Sequence, residues 1–303
     1  MDKNFEMHEL TLNKLMKYTI SHLAIIESIT NETEAYLEAE LILNHLFKTE
    51  FINLRVDFAK HKHLFDIKKL NRILIRRISG EPLAYITSEK YFYDLSLSVG
   101  YGVLVPRSET ELLVEQGIKE LNKMNKSGNK INVVDIGTGS GAIIISVAKN
   151  TKCDSKIDFF AIDNSEYAIK YCKQNINKYM LDNRITVIKS DLLNKFHLTP
   201  NLIFANLPYI EKSDMTNLQK EIRIAEPSNA LNGGKDGLEI ISTLLKQLSS
   251  IIGANACTII LEIGINQDKK LKKIIESQLP NFHIKFINDY QKIKRIAVIQ
   301  NKN

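Results

Sequence analysis

Apolar residues recur at helical spacing in three stretches near the start of the chain, at residues 10–16, 35–47 and 67–78. This spacing predicts three amphipathic helices. Neither glycine nor proline interrupts them before Gly80-Glu81-Pro82, a sequence that is typical of a boundary between elements. The pattern therefore predicts a small helical domain over residues 1–80.

The pattern changes after this boundary. Between residues 83 and 105, apolar and polar positions alternate, and we interpret residues 81–105 as a β-hairpin linker. From residue 106 to 303, apolar runs of strand length alternate with helical stretches, which predicts an α/β domain with a doubly wound sheet. The last two runs, Ile284–Ile287 and Arg295–Ile299, are expected to form an antiparallel pair.

The stretch at residues 131–148 is the most informative one, because a β-branched run breaks into closely spaced glycines and then resumes as an apolar helix. The turn Gly137-Thr138-Gly139-Ser140-Gly141 lets backbone amides at a helix N-terminus approach a ligand. Asp163 ends the next apolar run, where a carboxylate can accept both hydroxyls of a ribose. The glycine spacing is shorter than in dinucleotide folds, which disfavours a nicotinamide cofactor. We expect S-adenosylmethionine here; the alternative is a turn that only packs the helix on the strand.

Two further residues are expected at the same edge of the sheet. Asp191 follows the next predicted strand, and ligands of such sheets bind beyond the carboxyl ends of the strands. Its carboxylate can receive an adenine amino group; the alternative is a helix N-cap. Glu262 ends a later strand, and the sequence leaves open whether it is structural or contacts a substrate.

A second motif, Asn206-Leu207-Pro208-Tyr209, follows the fourth apolar strand of this domain. The Asn206 side-chain carbonyl and the Leu207 backbone carbonyl can each accept one hydrogen of a substrate NH₂ group. Pro208 restricts the backbone of Leu207, and Tyr209 offers a flat wall for a planar amide or base. We interpret these four residues as the catalytic site, although the same tetrapeptide can also form a simple turn.

Composition limits the classes of protein that remain. Of the 303 residues, 44% are hydrophobic and 25% are charged, and the net charge of +6 comes from scattered lysines. No apolar run approaches the length of a membrane span and no signal peptide is evident, so we expect a cytoplasmic protein. Cys153, Cys172 and Cys257 lack metal-like spacing, which predicts buried reduced thiols, no disulfide and no bound metal.

The segment Pro106–Glu111 precedes a predicted helix that carries Leu112, Leu113 and Val114. Ser108 or Thr110 is expected to cap this helix, and the neighbouring acids suit its first turn.

Several of these segments together resemble the HemK/PrmC family of release-factor glutamine methyltransferases, and the resemblance spans nearly the whole chain. The segments that carry it are Gly80–Ile86, Pro106–Glu111, Asp135–Ala142, Asn206–Tyr209, Glu226–Leu231 and Asp236–Leu238. Two positions depart from the family pattern: Leu207 replaces a usual proline, as in rRNA adenine dimethyltransferases, and Ser108-Glu109 lies inside the proline-arginine segment.

The resemblance implies an N-terminal helical bundle that docks the substrate, a hairpin linker, and a Rossmann-like seven-stranded class I methyltransferase domain over residues 106–303. It implies methylation of the glutamine in the Gly-Gly-Gln motif of class I peptide chain release factors, with S-adenosylmethionine converted to S-adenosylhomocysteine. Leu192 and Asn206 are then expected to join Gly137–Gly141, Asp163 and Asp191 at the cofactor. We expect a monomer without membrane attachment or direct nucleic-acid readout.

Four alternatives stay open from the sequence. They are an adenine-N6 methyltransferase acting on RNA or DNA, a ribosomal-protein glutamine methyltransferase, a nicotinamide oxidoreductase and a noncatalytic interaction module. The first shares the recognition of an NH₂ group but needs a basic face for phosphates.

Overall fold

The computed structural model describes residues 9–127, 129–152, 156–252 and 256–301. The helices are α1 (Leu12–Leu23), α2 (Glu32–Phe47), α3 (Phe51–Val56), α4 (Phe58–His61), α5 (Ile67–Ile78), α6 (Leu83–Thr87), α7 (Glu111–Met124), α8 (Ala142–Asn150), α9 (Glu166–Lys178), α10 (Lys220–Ala225), α11 (Glu239–Ile252) and α12 (Asp268–Gln278). The strands are β1 (Glu89–Phe92), β2 (Leu95–Ser98), β3 (Ile131–Ile136), β4 (Ile157–Asp163), β5 (Ile185–Lys189), β6 (Leu202–Ala205), β7 (Thr258–Glu262), β8 (Phe282–Asn288) and β9 (Lys294–Asn301).

The described residues form two compact units. Among these residues, the first unit comprises 9–88 together with Gln219–Ala225, and the second comprises those within Glu89–Leu218 together with those within 226–301. The division within the chain thus falls at Ser88, eight residues later than the boundary expected from Gly80-Glu81-Pro82, because α6 packs its Ile86 into the helical core.

The first unit packs its helices around an aliphatic core. Four helices are preceded by a residue whose side chain accepts a backbone amide of the first turn: Thr11 for α1, Asn31 for α2, Asp57 for α4 and Asp66 for α5. Such caps satisfy amides that have no partner inside the helix. The three predicted amphipathic helices are confirmed, whereas the short helices α3 and α4 were not expected. Buried core residues include Leu15, Leu23, Ile42, Leu43, Leu54 and Leu70.

A buried arginine holds the returning segment Gln219–Ala225 in this unit. Arg77 on α5 is 3% exposed, and its guanidinium lies 2.8 Å from carboxylate oxygens of both Glu38 and Glu221. A buried guanidinium is stable only where carboxylates compensate its charge. Residues 219–225 therefore belong with the helices, although the sequence placed them in the domain over residues 106–303.

The second unit contains a seven-stranded sheet in the order β5-β4-β3-β6-β7-β9-β8. The strands β3 to β7 pair in parallel, and β9 runs antiparallel to both of its neighbours. The central strands are nearly uniform apolar runs because helices cover both faces of the sheet. The predicted doubly wound sheet and its antiparallel pair at the end of the chain are confirmed. The strand order reverses between β3 and β6, which opens a crevice at their carboxyl ends.

The linker is only partly a hairpin. β1 and β2 pair antiparallel over residues 89–98, as expected, but Leu83–Thr87 forms the helix α6. Pro82 precedes this helix with a φ of −58°, a conformation that proline favours at a helix start. The alternating pattern over these residues therefore reflects one short buried helical turn and not a strand.

Two of the three cysteines lie in the described residues. Cys172 and Cys257 are buried free thiols, as expected, and Cys153 lies outside the described residues.

No helix among the described residues combines the length and the apolar character needed to cross a bilayer.

Candidate active site

Strand register places the predicted site residues at one level of the sheet. Ile136, the last residue of β3, pairs with Ala205 on β6 and with Ile162 on β4. The Gly137 turn and Asn206 therefore follow directly after two adjacent strands, β3 and β6. Asp163 ends β4, the neighbour of β3 on the other side. This register follows from the apolar strand sequences, which align all three strand ends.

The glycine turn has the backbone that its sequence predicts. Gly137, Gly139 and Gly141 have φ values of +71°, +57° and +85°, a region that favours residues without a Cβ. Asp135, on the strand before the turn, stabilises it: its Oδ2 accepts a 2.6 Å hydrogen bond from the Thr138 hydroxyl. Burial raises the pKa of the Asp135 carboxyl to about 7, against the opposing effect of hydrogen bonds from Thr138 and from the Ile144 amide.

Asp163 holds the turn from its flank. One carboxylate oxygen accepts the Gly139 amide at 2.9 Å, and the other accepts the Ser165 amide at 2.9 Å. Each carboxylate oxygen has a second lone pair, so acceptor capacity is left for two ligand hydroxyls. Burial raises the pKa of Asp163, although the backbone amides oppose this shift.

Asp191 and Leu192 lie at the end of β5. Residues 191–195 form turns and not a helix, so the alternative interpretation of Asp191 as a helix N-cap is wrong. Leu192 is in the left-handed region with a φ of +46°, which is uncommon for a residue with a branched side chain. Its side chain packs into the core of the sheet, which leaves Asp191 exposed above it.

A cavity of about 340 Å³ joins these residues. It lies in the size range of small-molecule sites. The predicted residues that line it are Gly137, Thr138, Gly139, Ser140, Asp163, Asp191, Leu192, Asn206, Leu207 and Pro208. Gly141 and Tyr209 do not line it: Gly141 is the N-cap residue of α8, and the Tyr209 hydroxyl donates to Glu262.

One polar atom of this cavity wall has no partner. Ser140 is 2% exposed, and its hydroxyl makes no hydrogen bond within the described residues. An unpaired buried hydroxyl is costly unless a ligand or water supplies a partner. The two acids, the glycine turn and this hydroxyl match the donors and acceptors of an adenosine with an amino-acid tail, so the residues fit S-adenosylmethionine.

Asn206 is held by a buried hydrogen-bond chain. Its Nδ2 donates to Thr110 Oγ1 at 3.0 Å, and Thr110 Oγ1 donates to Glu262 Oε2 at 2.6 Å. The Tyr209 hydroxyl donates to the other oxygen of Glu262 at 3.0 Å. Thr110 occupies the N-cap position of α7, as expected, but its side chain accepts no first-turn amide and neither does that of Ser108, so the expected capping hydrogen bond is absent.

Burial changes the pKa values of Glu262 and Tyr209, the two ionisable groups of these hydrogen bonds. Glu262 is 2% exposed, and burial raises the pKa of its carboxyl, whereas the hydrogen bonds from Thr110 and Tyr209 and the nearby Arg295 lower it. Burial and the adjacent Glu262 both raise the pKa of Tyr209, so its hydroxyl keeps its proton.

The loop at residues 231–237 is hydrogen-bonded to the residue that follows the Asn206–Tyr209 motif. The Ile210 amide donates to Leu231 O at 3.0 Å, and the Gly233 amide donates to Ile210 O at 2.8 Å. Gln267 Nε2 donates to Tyr209 O at 2.8 Å. Gly237 has a φ of +73°, and a Cβ there would lie 2.3 Å from Tyr209 O. The sequence reasoning missed these contacts, although the glycines at 233, 234 and 237 were a visible signal of close backbone approach.

Leu207 packs over the glycine turn. Its side chain is buried, and a Cβ on Gly137 would lie 3.0 Å from Leu207 Cδ2. The residue that departs from the family pattern therefore fills apolar space between β3 and β6. Its backbone carbonyl, the group expected to contact a substrate, is common to every residue type.

Comparison with known proteins identifies the family. Residues 127–298 match a methyltransferase domain, and residues 27–87 match the PrmC N-terminal domain. A release factor glutamine methyltransferase from Thermodesulfovibrio yellowstonii is 35% identical over 267 residues, which cover 87% of this chain and 91% of that protein. The chain belongs to the release factor glutamine methyltransferase family. A second member, from Dictyoglomus turgidum, is 37% identical over 276 residues, 89% of this chain and 92% of that protein.

The fold of the family's catalytic unit is shared with more distant enzymes. The catalytic domain of human METTL16 has 17% sequence identity to this chain and a TM-score of 0.50, over 68% of this chain and 76% of that one. At this identity the likeness shows a common fold alone. The resemblance that the sequence motifs indicated, and the class I methyltransferase fold it implied, are confirmed by the family match.

Proposed function

We propose that this chain transfers a methyl group from S-adenosylmethionine to the side-chain amide nitrogen of the glutamine in the Gly-Gly-Gln motif of class I release factors. Family membership and the names of the relatives support this substrate. The proposal places the cofactor against Gly137–Gly141, Asp163, Asp191 and Leu192. It places the glutamine amide against Asn206–Tyr209.

One observation carries the proposal. The Asn206 carboxamide lines the same cavity as the glycine turn, and its NH₂ side is engaged by Thr110. The opposite side of the carboxamide, its oxygen, has no donor within the described residues and is available to accept an N–H. An amide nitrogen held by this oxygen lies next to the ligand that the turn binds.

The residues of this site act by orientation. When bound, S-adenosylmethionine supplies an electrophilic methyl group. An amide nitrogen is a weak nucleophile because its lone pair is delocalised into the carbonyl. The described lining of the cavity contains neither histidine nor cysteine that would act as a base or nucleophile. Acceptors at Asn206 and Leu207 fix both amide hydrogens, and such positioning supplies about 7–11 kcal/mol in favourable cases.

The remaining parts of the proposal concern the partner. Residues 1–80 dock the release factor, residues 81–105 connect the two domains, and the chain acts as a monomer in the cytoplasm, where release factors work. The match of residues 27–87 to the PrmC N-terminal domain supports a family-specific role for the helices.

Methyl transfer to a purified release factor tests the proposal directly. The chain is incubated with labelled S-adenosylmethionine and a class I release factor, and peptide mass mapping locates the methyl group. We expect one methyl group on the glutamine of the Gly-Gly-Gln motif, and none when that glutamine is replaced by alanine. Asn206→Ala should abolish turnover, because the amide loses its acceptor, while calorimetry still shows cofactor binding.

The same assay offers ribosomal RNA and ribosomal proteins as competing acceptors. Methylation of either one in preference to the release factor would overturn the assignment, as would full activity of the Asn206→Ala variant.

A further inference from the structure

Thr110 and Glu262 take no part in the proposed chemistry, yet they lie behind Asn206: Thr110 accepts a hydrogen bond from the Asn206 amide nitrogen, and Glu262 accepts one from Thr110. Asn206 lies after β6, Thr110 precedes α7, and Glu262 is the last residue of β7. Three separate elements thus bring these side chains together, and Thr110 and Glu262 are both buried.

The donor and acceptor roles in the hydrogen bonds from Asn206 to Thr110 to Glu262 follow from the hydrogens that each group carries. A threonine hydroxyl carries one hydrogen and two lone pairs, and an ionised carboxylate only accepts. The Thr110 hydrogen must therefore point at Glu262, and the 2.6 Å distance suits a charge-assisted bond. Only lone pairs of Thr110 remain for Asn206, so the carboxamide must turn its NH₂ group to Thr110 and its oxygen the other way.

The burial of Glu262 is compensated within the same unit. Its two oxygens accept one hydroxyl each, from Thr110 and Tyr209. The Arg295 charge also favours the ionised form of Glu262, whereas Glu109 opposes it. Burial raises the pKa of the Glu262 carboxyl, and the two hydroxyl donors and Arg295 oppose this shift by favouring the ionised form, which accepts both hydrogens.

We propose that the Glu262 carboxylate sets the orientation of the Asn206 carboxamide through Thr110, which makes Thr110 and Glu262 positioning residues for the acceptor amide. This inference rests on the proposed function. An amide NH₂ of the substrate is a donor and needs the Asn206 oxygen. A reversed carboxamide would place two NH₂ groups face to face, and would favour a carboxylate over an amide. The charge of Glu262 therefore selects glutamine over glutamate at the acceptor site.

The first test compares two substitutions of Thr110 with one of a neighbouring serine. Thr110→Val keeps the shape but removes the hydroxyl, and kcat for the release factor should fall roughly tenfold to hundredfold, the scale of a lost hydrogen bond in a charged chain. Thr110→Ser restores the hydroxyl and should recover most of the activity. Ser108→Ala, which removes an exposed hydroxyl two residues away, is the matched control and should leave kcat unchanged. The Kd for S-adenosylmethionine should change much less than kcat in every variant.

The second test asks whether Thr110 and Glu262 act as one unit. Glu262→Gln introduces a donor that can reverse the Thr110 hydrogen, so it should lower kcat as well. Adding Thr110→Val to Glu262→Gln should then cost little more, because the orienting bond is already lost. Multiplicative losses in the double variant, or full activity of Thr110→Val, would overturn the inference.

A third measurement needs no substrate and separates this inference from the proposed function. In the full chain labelled with ¹⁵N-asparagine, Asn206→Ala assigns the side-chain NH₂ signals of Asn206. These hydrogens should be protected from exchange in the wild type and lose protection in Thr110→Val and in Glu262→Gln. Unprotected hydrogens in the wild type would overturn the inference even if the release factor is methylated. Protected hydrogens in a chain that ignores release factors would overturn only the proposed function.

Discussion

Replacing Asp135 by asparagine should make the stability of the sheet unit less dependent on pH. Asp135 is fully buried on β3 beneath the glycine turn, between Ala161 on β4 and Phe204 on β6. Burial raises the pKa of its carboxyl from the ordinary 3.8 to about 7. Asparagine keeps the shape and can still accept the Thr138 hydroxyl, but it has no charge to bury.

The sign follows from proton linkage. The folded state holds the Asp135 proton more tightly than the unfolded state does, so folding of the wild type is favoured at low pH and loses free energy as pH rises to about 7. A shift of about 3 pH units corresponds to about 4 kcal/mol over the whole range, at 1.36 kcal/mol per unit. Between pH 5 and pH 8, the Asp135→Asn variant should therefore gain about 2–3 kcal/mol in stability relative to the wild type.

Urea unfolding at several pH values measures this difference. The chain has no tryptophan, so unfolding is followed by circular dichroism. Asp158→Asn is a suitable control, because Asp158 lies on β4, the strand next to β3, but pairs with Lys130 in contact with solvent. Its stability difference from the wild type should vary little with pH. A constant difference for Asp135→Asn across this range, or a wild type that gains stability as pH rises, would refute the reasoning.

Two further substitutions test the cofactor site and the core. Asp163→Ala should raise the Kd for S-adenosylmethionine by about tenfold to hundredfold, because it removes the proposed acceptor for the ribose and the acceptor of the Gly139 amide. Calorimetry measures this Kd. The control is Glu166→Ala, which removes an exposed carboxylate at the start of α9 and should leave the Kd unchanged. Gly117→Ala should destabilise the sheet unit by about 1–3 kcal/mol, because its Cβ would lie 2.2 Å from the Phe204 ring. The exposed Lys119→Ala on the same helix serves as the control in urea unfolding, and equal stability of the two variants would contradict the packing argument.

Local sequence patterns were sufficient to predict most of the helices and strands. The glycine turn, the strand that ends at Asn206 and the antiparallel pair at residues 284–299 all follow from apolar runs and the residues that bound them. The helical spacing of residues 67–78 matches α5 at both ends. In each case the residues that determine the element lie next to one another in the sequence.

Two differences between the predictions and the structure concern residues whose partners are distant in sequence. Thr110 has the residue type of a helix cap, and a cap was the sound local interpretation. Its hydroxyl instead meets Glu262, 152 residues later, a pairing that depends on the whole sheet. The return of Gln219–Ala225 to the helical unit depends in the same way on Arg77, which no local pattern connects to Glu221.

The two halves of the site are held by different sets of interactions. The cofactor half depends on Asp135 and Asp163, which brace the glycine turn between β3 and β4. The acceptor half depends on Glu262 and Thr110, which orient Asn206 from β7 and α7. The two halves meet at the β3–β6 pairing and where Leu207 packs against the turn. Since energetic coupling follows shared contacts, damage to one half should change cofactor affinity and damage to the other should change methyl transfer. The pairing of β3 with β6 and the packing of Leu207 should therefore set the spacing between the two halves, so the apolar residues of these strands matter to the chemistry as well as the polar residues at their ends.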